Sequence, residues 1–172
     1  MHDKIISAGG EIVKLTYKYK LKRMTIDKKA IIDELIWHTT KVYNMVLYDI
    51  KEGKELINVK GNLNVISTPI YRRFRKENWH SKYLHSHTLQ EVIINTVENY
   101  KSYVALKKKY AEDKKRIKGE PHFPHFKNKN MQEIVFTKYA IRVRKNVIML
   151  SLSKNVQEKY KSNSLNFLIP RK

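Results

Sequence analysis

The chain has 172 residues, 41% apolar and 30% charged, enough for one ordinary domain or two small ones with a packed core. Its 36 Lys and Arg against 16 Asp and Glu leave a net charge of +20; an excess of this size repels itself and points to a polyanionic partner, nucleic acid ahead of an acidic membrane surface. The absence of cysteine excludes disulfides and thiolate zinc sites, "MHDKIISAGGEIVK" carries no secretory signal, and no run approaches the ~20 apolar residues of a membrane span, so the expected place is the cytoplasm, on the nucleoid.

Residues 12–23, "IVKLTYKYKLKR", alternate with period two and predict a strand. Leu15, Tyr17, Tyr19 and Leu21 share one face; Lys14, Thr16, Lys18, Lys20 and Lys22 share the other. Such a lysine comb either protects an edge strand from pairing or faces phosphates. The period then changes. Ile31, Leu35, His38, Val42, Met45 and Asp49 recur at steps of four and three, widened by Ile32, Ile36, Tyr43 and Val46. This predicts a long amphipathic helix capped by Thr25 or Asp27 and ended by Gly53, with Trp37 and His38 in or near its core stripe.

Residues 54–66 read as a polar connector. "STPIYRRFRKENW" opens a short helix, with Ser67 or Thr68 as cap and Pro69 at its first position. Arg72, Arg73, Arg75 and Lys76 crowd it among Tyr71, Phe74 and Trp79, a mixture that suits either phosphate contact with base stacking or a solvated basic face. A second long helix follows from Ser86 to Gly119, with Leu89, Ile93, Thr96, Tyr100, Tyr103, Lys107 and Tyr110 in its stripe. Its second half, which includes Lys107, Lys108, Lys115 and Arg116, is charged all round. It either protrudes into solvent or lies along a polyanion.

"KGEPHFPHFKNKN", residues 118–130, separates the helices from a return to period two. Pro121 and Pro124 push Glu120 and Phe123 towards extended backbone. His122 and His125 then project in different directions, more suited to neighbouring phosphates beside Lys127 and Lys129 than to gripping one metal ion. "EIVFTKYAIRVRKNVIMLSLSK" predicts three short strands, the last two a hairpin turning at Lys145-Asn146 with Arg142 and Arg144 on one face. "SLNFLIP" predicts one more. No phosphate-cradling glycine loop, nucleophile elbow or carboxylate cluster for two-metal cleavage is present. No catalytic residue, metal or cofactor is expected; a histidine-metal nuclease is the remote alternative, and a stand-alone DNA-binding regulator the nearer one.

In this order, strand "VKLTYKYKLKRMTIDK", helix "IDELIWHTTKVYNMVLYD", helix "HSHTLQEVIINTVENYKSYVALKK", the G-x-P-x-F-P-x-F-K loop from Gly119 to Lys127, and the strands of "IRVRKNVIMLSLSK", nearly the whole chain resembles the N-terminal part of the TnpB (OrfB) family. These are transposon-encoded RNA-guided endonucleases related to type V CRISPR effectors. The resemblance implies an α+β chain: a small antiparallel β-barrel of the wedge type, split over residues 1–24 and 120–172, with an antiparallel helical recognition domain inserted at 25–119. It implies guide RNA and target-adjacent double-stranded DNA as partners, with base pairing supplying sequence specificity. The start of the second long helix, around His87 and Gln90, is where DNA-motif reading is expected, since a glutamine amide pairs bidentately with adenine. Family members continue into a RuvC nuclease domain with a four-cysteine zinc ribbon. This chain ends before that domain and has no cysteine, and His122 and His125 stand where arginine or lysine is frequent in the family, so cleavage by these residues alone is not expected.

Overall fold

The computed structural model describes residues 5–8, 11–14, 24–59, 62–128 and 132–169. Two short antiparallel strands come first, β1 (Ile5–Ala8) and β2 (Glu11–Lys14). The rest of the predicted lysine-comb strand, with Lys18, Lys20 and Lys22, lies outside the described residues, as does Lys129.

Helix α1 spans Ile26–Lys51 and is capped by Thr25, whose hydroxyl accepts from the Lys28 amide at 3.4 Å. Its end is a Schellman motif: the Gly53 amide donates to the Ile50 carbonyl at 3.1 Å and the Lys54 amide to the Asp49 carbonyl at 3.0 Å. Gly53 sits at φ +76°, where a side chain is strained. Residues 54–66 are not a plain connector. They hold a hairpin, β3 (Leu56–Val59) with β4 (Asn62–Val65), in antiparallel register Leu56↔Val65 to Val59↔Asn62.

Helix α2 (Ser67–Glu77) starts two residues before the predicted first position at Pro69, so Ile66 is its cap and Pro69 lies within its first turn, where no amide is required. A 3-10 turn at His80–Tyr83 leads into α3, Ser86–Glu112. The α3 stripe is buried only as far as Val97; Val104 and Leu106 beyond it are exposed, so its basic second half stands clear of the core. A 3-10 turn at Lys114–Arg116 then precedes Gly119, which reverses the chain at φ +87°.

Residues 120–128 and 132–137 form no helix or strand, so the described part of the first of the three predicted strands is irregular backbone, ending in a 3-10 turn at Lys138–Ala140. Strands β5 (Ile141–Arg144) and β6 (Val147–Ser151) form the predicted hairpin, with Lys145 at φ 54° in its turn. A two-turn helix, α4 (Lys154–Tyr160), was not foreseen; after it β7 (Ser164–Leu168) pairs with the other side of β6.

The chain is thus α+β, but among the described residues the expected barrel is not closed. The largest sheet has three strands in the order β5-β6-β7, with β5 and β7 as its edges. Closure would need a strand joining those edges. The start of the segment expected to supply it, Glu11–Lys14, pairs with Ile5–Ala8 instead.

One core serves both the helices and the late strands. Leu35, Val42, Val46 and Leu47 of α1 meet Leu89, Val92 and Ile93 of α3 and Ile70 and Phe74 of α2. Leu152, Val156 and Leu165 belong to the same cluster. Each such side chain contributes roughly 1.5–3 kcal/mol by leaving water. Because α1 is covered on several sides, its buried face takes in Thr39, Thr40 and Ile50, while Met45 and Trp37, expected in or near the stripe, are more than a third exposed. Thr39 and Thr40 satisfy their hydroxyls on the carbonyls of Leu35 and Ile36.

Candidate nucleic-acid interface

The chain reaches α3 in extended backbone at His85, whose Nδ1 accepts from the His87 amide at 3.4 Å. This accepting role needs a neutral ring, and burial, helped by the neighbouring His87, lowers the His85 pKa. His85 stacks on His87 with ring centroids 5.6 Å apart, and His87 stacks on Tyr139 at 4.9 Å. The column ends in a ring 67% exposed, beside which Lys138 places its Nζ 5.1 Å from the centroid. Gln90 is exposed one turn further along α3. Ala140, fully buried, seats the 3-10 turn, and its amide donates to the Thr137 carbonyl at 2.9 Å. From there β5 carries Arg142 and Arg144 outward, both exposed.

The structure therefore brings together His87 and the arginine-bearing hairpin, two features 50 or more residues apart in sequence, and adds Tyr139 and Lys138 to them. Neither was singled out from sequence. The signal was the break in alternation at "TKYAI", where Ala140 and Ile141 are adjacent apolar residues in a stretch otherwise read as period two. A stacked, exposed ring with a lysine beside it can take a base face and its phosphate.

The opposite end of α3 makes a second basic region. Phe123 wedges against Tyr100 and Tyr103 at 6.1 and 5.6 Å and anchors the loop, whereas Phe126 is 44% exposed. The side chain of Asn44 clamps the Lys127 backbone in the manner of a strand partner: its amide nitrogen donates to the Lys127 carbonyl and its oxygen accepts from the Lys127 amide, both at 2.8 Å. Tyr43 donates to the His125 carbonyl at 3.5 Å, and Thr40 accepts from the Gln132 amide at 3.2 Å. Contacts to positions 125, 127 and 132 thus retreat along α1 from Tyr43 and Asn44 to Thr40, which satisfies backbone that no sheet pairs. His122 and His125 are exposed, and so is Lys127, whose Nζ lies 5.7 Å from the Tyr43 ring. A polar cleft of about 310 Å3 opens between this strap and α3, but Glu98 and Glu133 line it with Lys127, so it is not a purely cationic groove.

The remaining basic positions separate. Lys107, Lys108 and Lys115 are exposed on or just past α3, with Lys107 donating to the Tyr103 hydroxyl at 3.2 Å. The 3-10 turn carries Arg116, whose side chain is outside the described set. On α2, Arg72 and Arg75 are exposed. Arg73 is engaged: it pairs with Asp49 at 2.7 Å and with Glu55, and packs over the Phe74 ring at 4.7 Å. Burial works against its charge, but the bonds to Asp49 and Glu55 outweigh burial and raise its pKa. Its role is to tie α2 to the end of α1 and to the residue before β3.

The histidines of "HSKYLHSH" part company. His80 packs with Trp37 and Trp79 instead and shares an Nδ1–Nδ1 hydrogen bond of 3.0 Å with the buried His38. His38 stacks on Tyr83 at 4.3 Å, while its Nε2 lies 3.7 Å from Glu34, which also receives Lys159 at 2.8 Å and the Tyr160 hydroxyl at 2.5 Å. Among the described residues no group of three or more His, Asp or Glu side chains is placed to hold a metal ion. Nor is any helix among them long and apolar enough to cross a membrane. No protein-family model matches the chain, and no curated relative matches it.

Proposed function

We propose that the chain is a nucleic-acid-binding module of the TnpB kind, in which a wedge-like β element and a helical insert hold a guide RNA and the DNA motif beside its target. The observation that carries this reading is the His87–Tyr139 stack, whose Tyr139 ring is exposed beside Lys138, with Gln90 exposed one turn along α3 and Arg142 and Arg144 exposed on the strand that follows. The net charge of +20 supports a polyanion as the partner. In this reading Arg142, Arg144 and the exposed lysines of α3 grip phosphates, while Gln90 reads base edges. The module works in the cytoplasm, on the nucleoid, and strand cleavage belongs to a separate nuclease domain.

The test is binding of structured RNA from the 3′ flank of the gene itself, against unrelated RNA of equal length, at about 0.3 M salt. The reading requires tighter binding of the cognate RNA by at least tenfold. Arg142→Glu with Arg144→Glu should weaken all sequences alike, whereas Gln90→Ala should flatten preference for a motif in the DNA. Equal affinity for both RNAs sinks the guide-RNA reading. Protection of one specific duplex without RNA would identify a stand-alone regulator instead.

A further inference from the structure

The chain contains two tryptophans, Trp37 and Trp79, and the fold brings them to one place. Trp37 comes from α1 and Trp79 from the turn after α2; their ring centroids are 6.1 Å apart, edge to face. Trp37 is 37% and Trp79 51% exposed. They rest on a floor of further rings, His38, His80 and Tyr83, each within 5.3 Å of one or both. Such support holds both indoles at the surface at little further cost in side-chain entropy.

Lys41, exposed one turn along α1, places its Nζ 5.9 Å from the Trp37 centroid. The ridge continues through Met45, 40% exposed and held at its sulfur by the Asn78 amide at 3.3 Å, to Tyr48, 49% exposed and partnered by Lys54 at 5.4 Å. Arg75 and Lys76 precede Trp79 by about a turn and Lys82 follows it, all exposed, with Glu77 the one acid between them. Aromatic rings alternating with cations, on a chain carrying +20, complement a ligand with flat apolar faces on an anionic backbone. Duplex bases have their faces covered by neighbours, so the fitting ligand is unpaired.

We propose that Trp37, Trp79 and Lys41 form a stacking platform for the unpaired bases of a single-stranded nucleic acid, built from rings other than those of the His87–Tyr139 stack. This rests on the reading above that the partner is nucleic acid. Because both tryptophans belong to the platform, intrinsic tryptophan emission reports on it directly.

The experiment titrates the full chain with a labelled 12-nucleotide oligothymidylate and, separately, with a 12-base-pair duplex, reading label anisotropy and tryptophan emission together. The single strand should quench emission, the duplex should not, and Trp79→Ala should weaken single-strand binding about tenfold. Lys41→Glu, at an exposed position, should weaken it several-fold without lowering the melting temperature, which separates contact loss from unfolding. Binding with unaltered emission and unaltered affinity in both variants overturns the platform and leaves the nucleic-acid reading standing. No binding of either oligonucleotide overturns both. A blue shift that grows with protein concentration alone assigns the face to a second copy of the chain and likewise overturns the platform.

Discussion

His38 is buried at 1% exposure inside a protein that otherwise sheds its charge to the surface. A neutral imidazole with its hydrogen on Nε2, 3.7 Å from Glu34, accepts at Nδ1 from His80 and carries no net charge. Burial, reinforced by the neighbouring His80, lowers its pKa to about 4, and Glu34 offsets only part of that. The unfolded chain therefore binds a proton near pH 6.5 that the folded chain refuses until about 4. The His38 contribution is complete above pH 6.5 and is lost as pH falls from 6.5 to 4, a loss on the order of 3 kcal/mol. Burial raises the Glu34 carboxyl, but the Lys159 and Tyr160 hydrogen bonds outweigh it and hold the pKa low, so its share is lost at still lower pH. Thermal melts at pH 7 and 4.5 should show this fall, and His38→Phe should shrink it; an unchanged difference would refute the assignment. At Asn44 the expected effect is local. Asn44→Ala removes two hydrogen bonds to Lys127 and should cost about 1–2 kcal/mol, with faster amide exchange confined to the 121–128 strap.

Among the elements, helix ends offer the clearest tests. Gly53→Ala meets only ordinary contact, with the nearest side-chain atom of Leu56 at 3.8 Å, so its cost is the strain of φ +76°, about 1 kcal/mol. Lys161 ends α4 at φ 48°, where glycine is at ease, so Lys161→Gly should raise stability by about 0.5–1 kcal/mol in a urea titration. The same contrast explains what the sequence disclosed. Helices α1 and α3 were legible because more than twenty residues of period 3.6 outvote any single position. The β5-β6 hairpin was legible because "IRVRKNVIML" alternates around a turn dipeptide. Helix α4 has seven residues and one buried apolar side chain, Val156, too little for a period to register. The β3-β4 hairpin was hidden by asparagines, which are poor strand formers. The described residues of the 120–128 and 132–137 stretches were opaque for another reason: their backbone bonds to side chains of α1 more than 80 residues away, and no local pattern encodes that.

For the whole molecule, charge dominates. With a net charge of +20, screening should relieve self-repulsion, so the melting temperature of the free protein should rise as the Debye length falls from ~30 Å at 0.01 M salt to ~10 Å at 0.1 M. Nucleic-acid affinity should fall over the same range, by about 0.7–0.9 in log–log slope per phosphate contact. Opposite signs in the two titrations are the expected signature; a melting temperature that falls with salt would contradict it. The candidate surface was legible as types of residue, not as a place. Sequence singled out His87, Gln90, Arg142 and Arg144, but only folding sets His87 beside the arginine hairpin through Tyr139, and only folding withdraws Arg73 into ion pairs. The Glu34–Lys159 pair spans 125 residues, which gives the molecule a schedule as well as a shape. At synthesis rates of about 5–20 residues per second, Glu34 leaves the ribosome roughly 6–25 s before the lysine that will neutralise it. In that interval α1, α2 and α3 can already assemble, with a carboxylate beside His38 and no Lys159 to draw it away. Burial and the neighbouring His80 already oppose a charge on His38 at that stage, so a nascent chain should hold this histidine only somewhat more readily protonated than the finished one, and Lys159 adds the last increment of resistance.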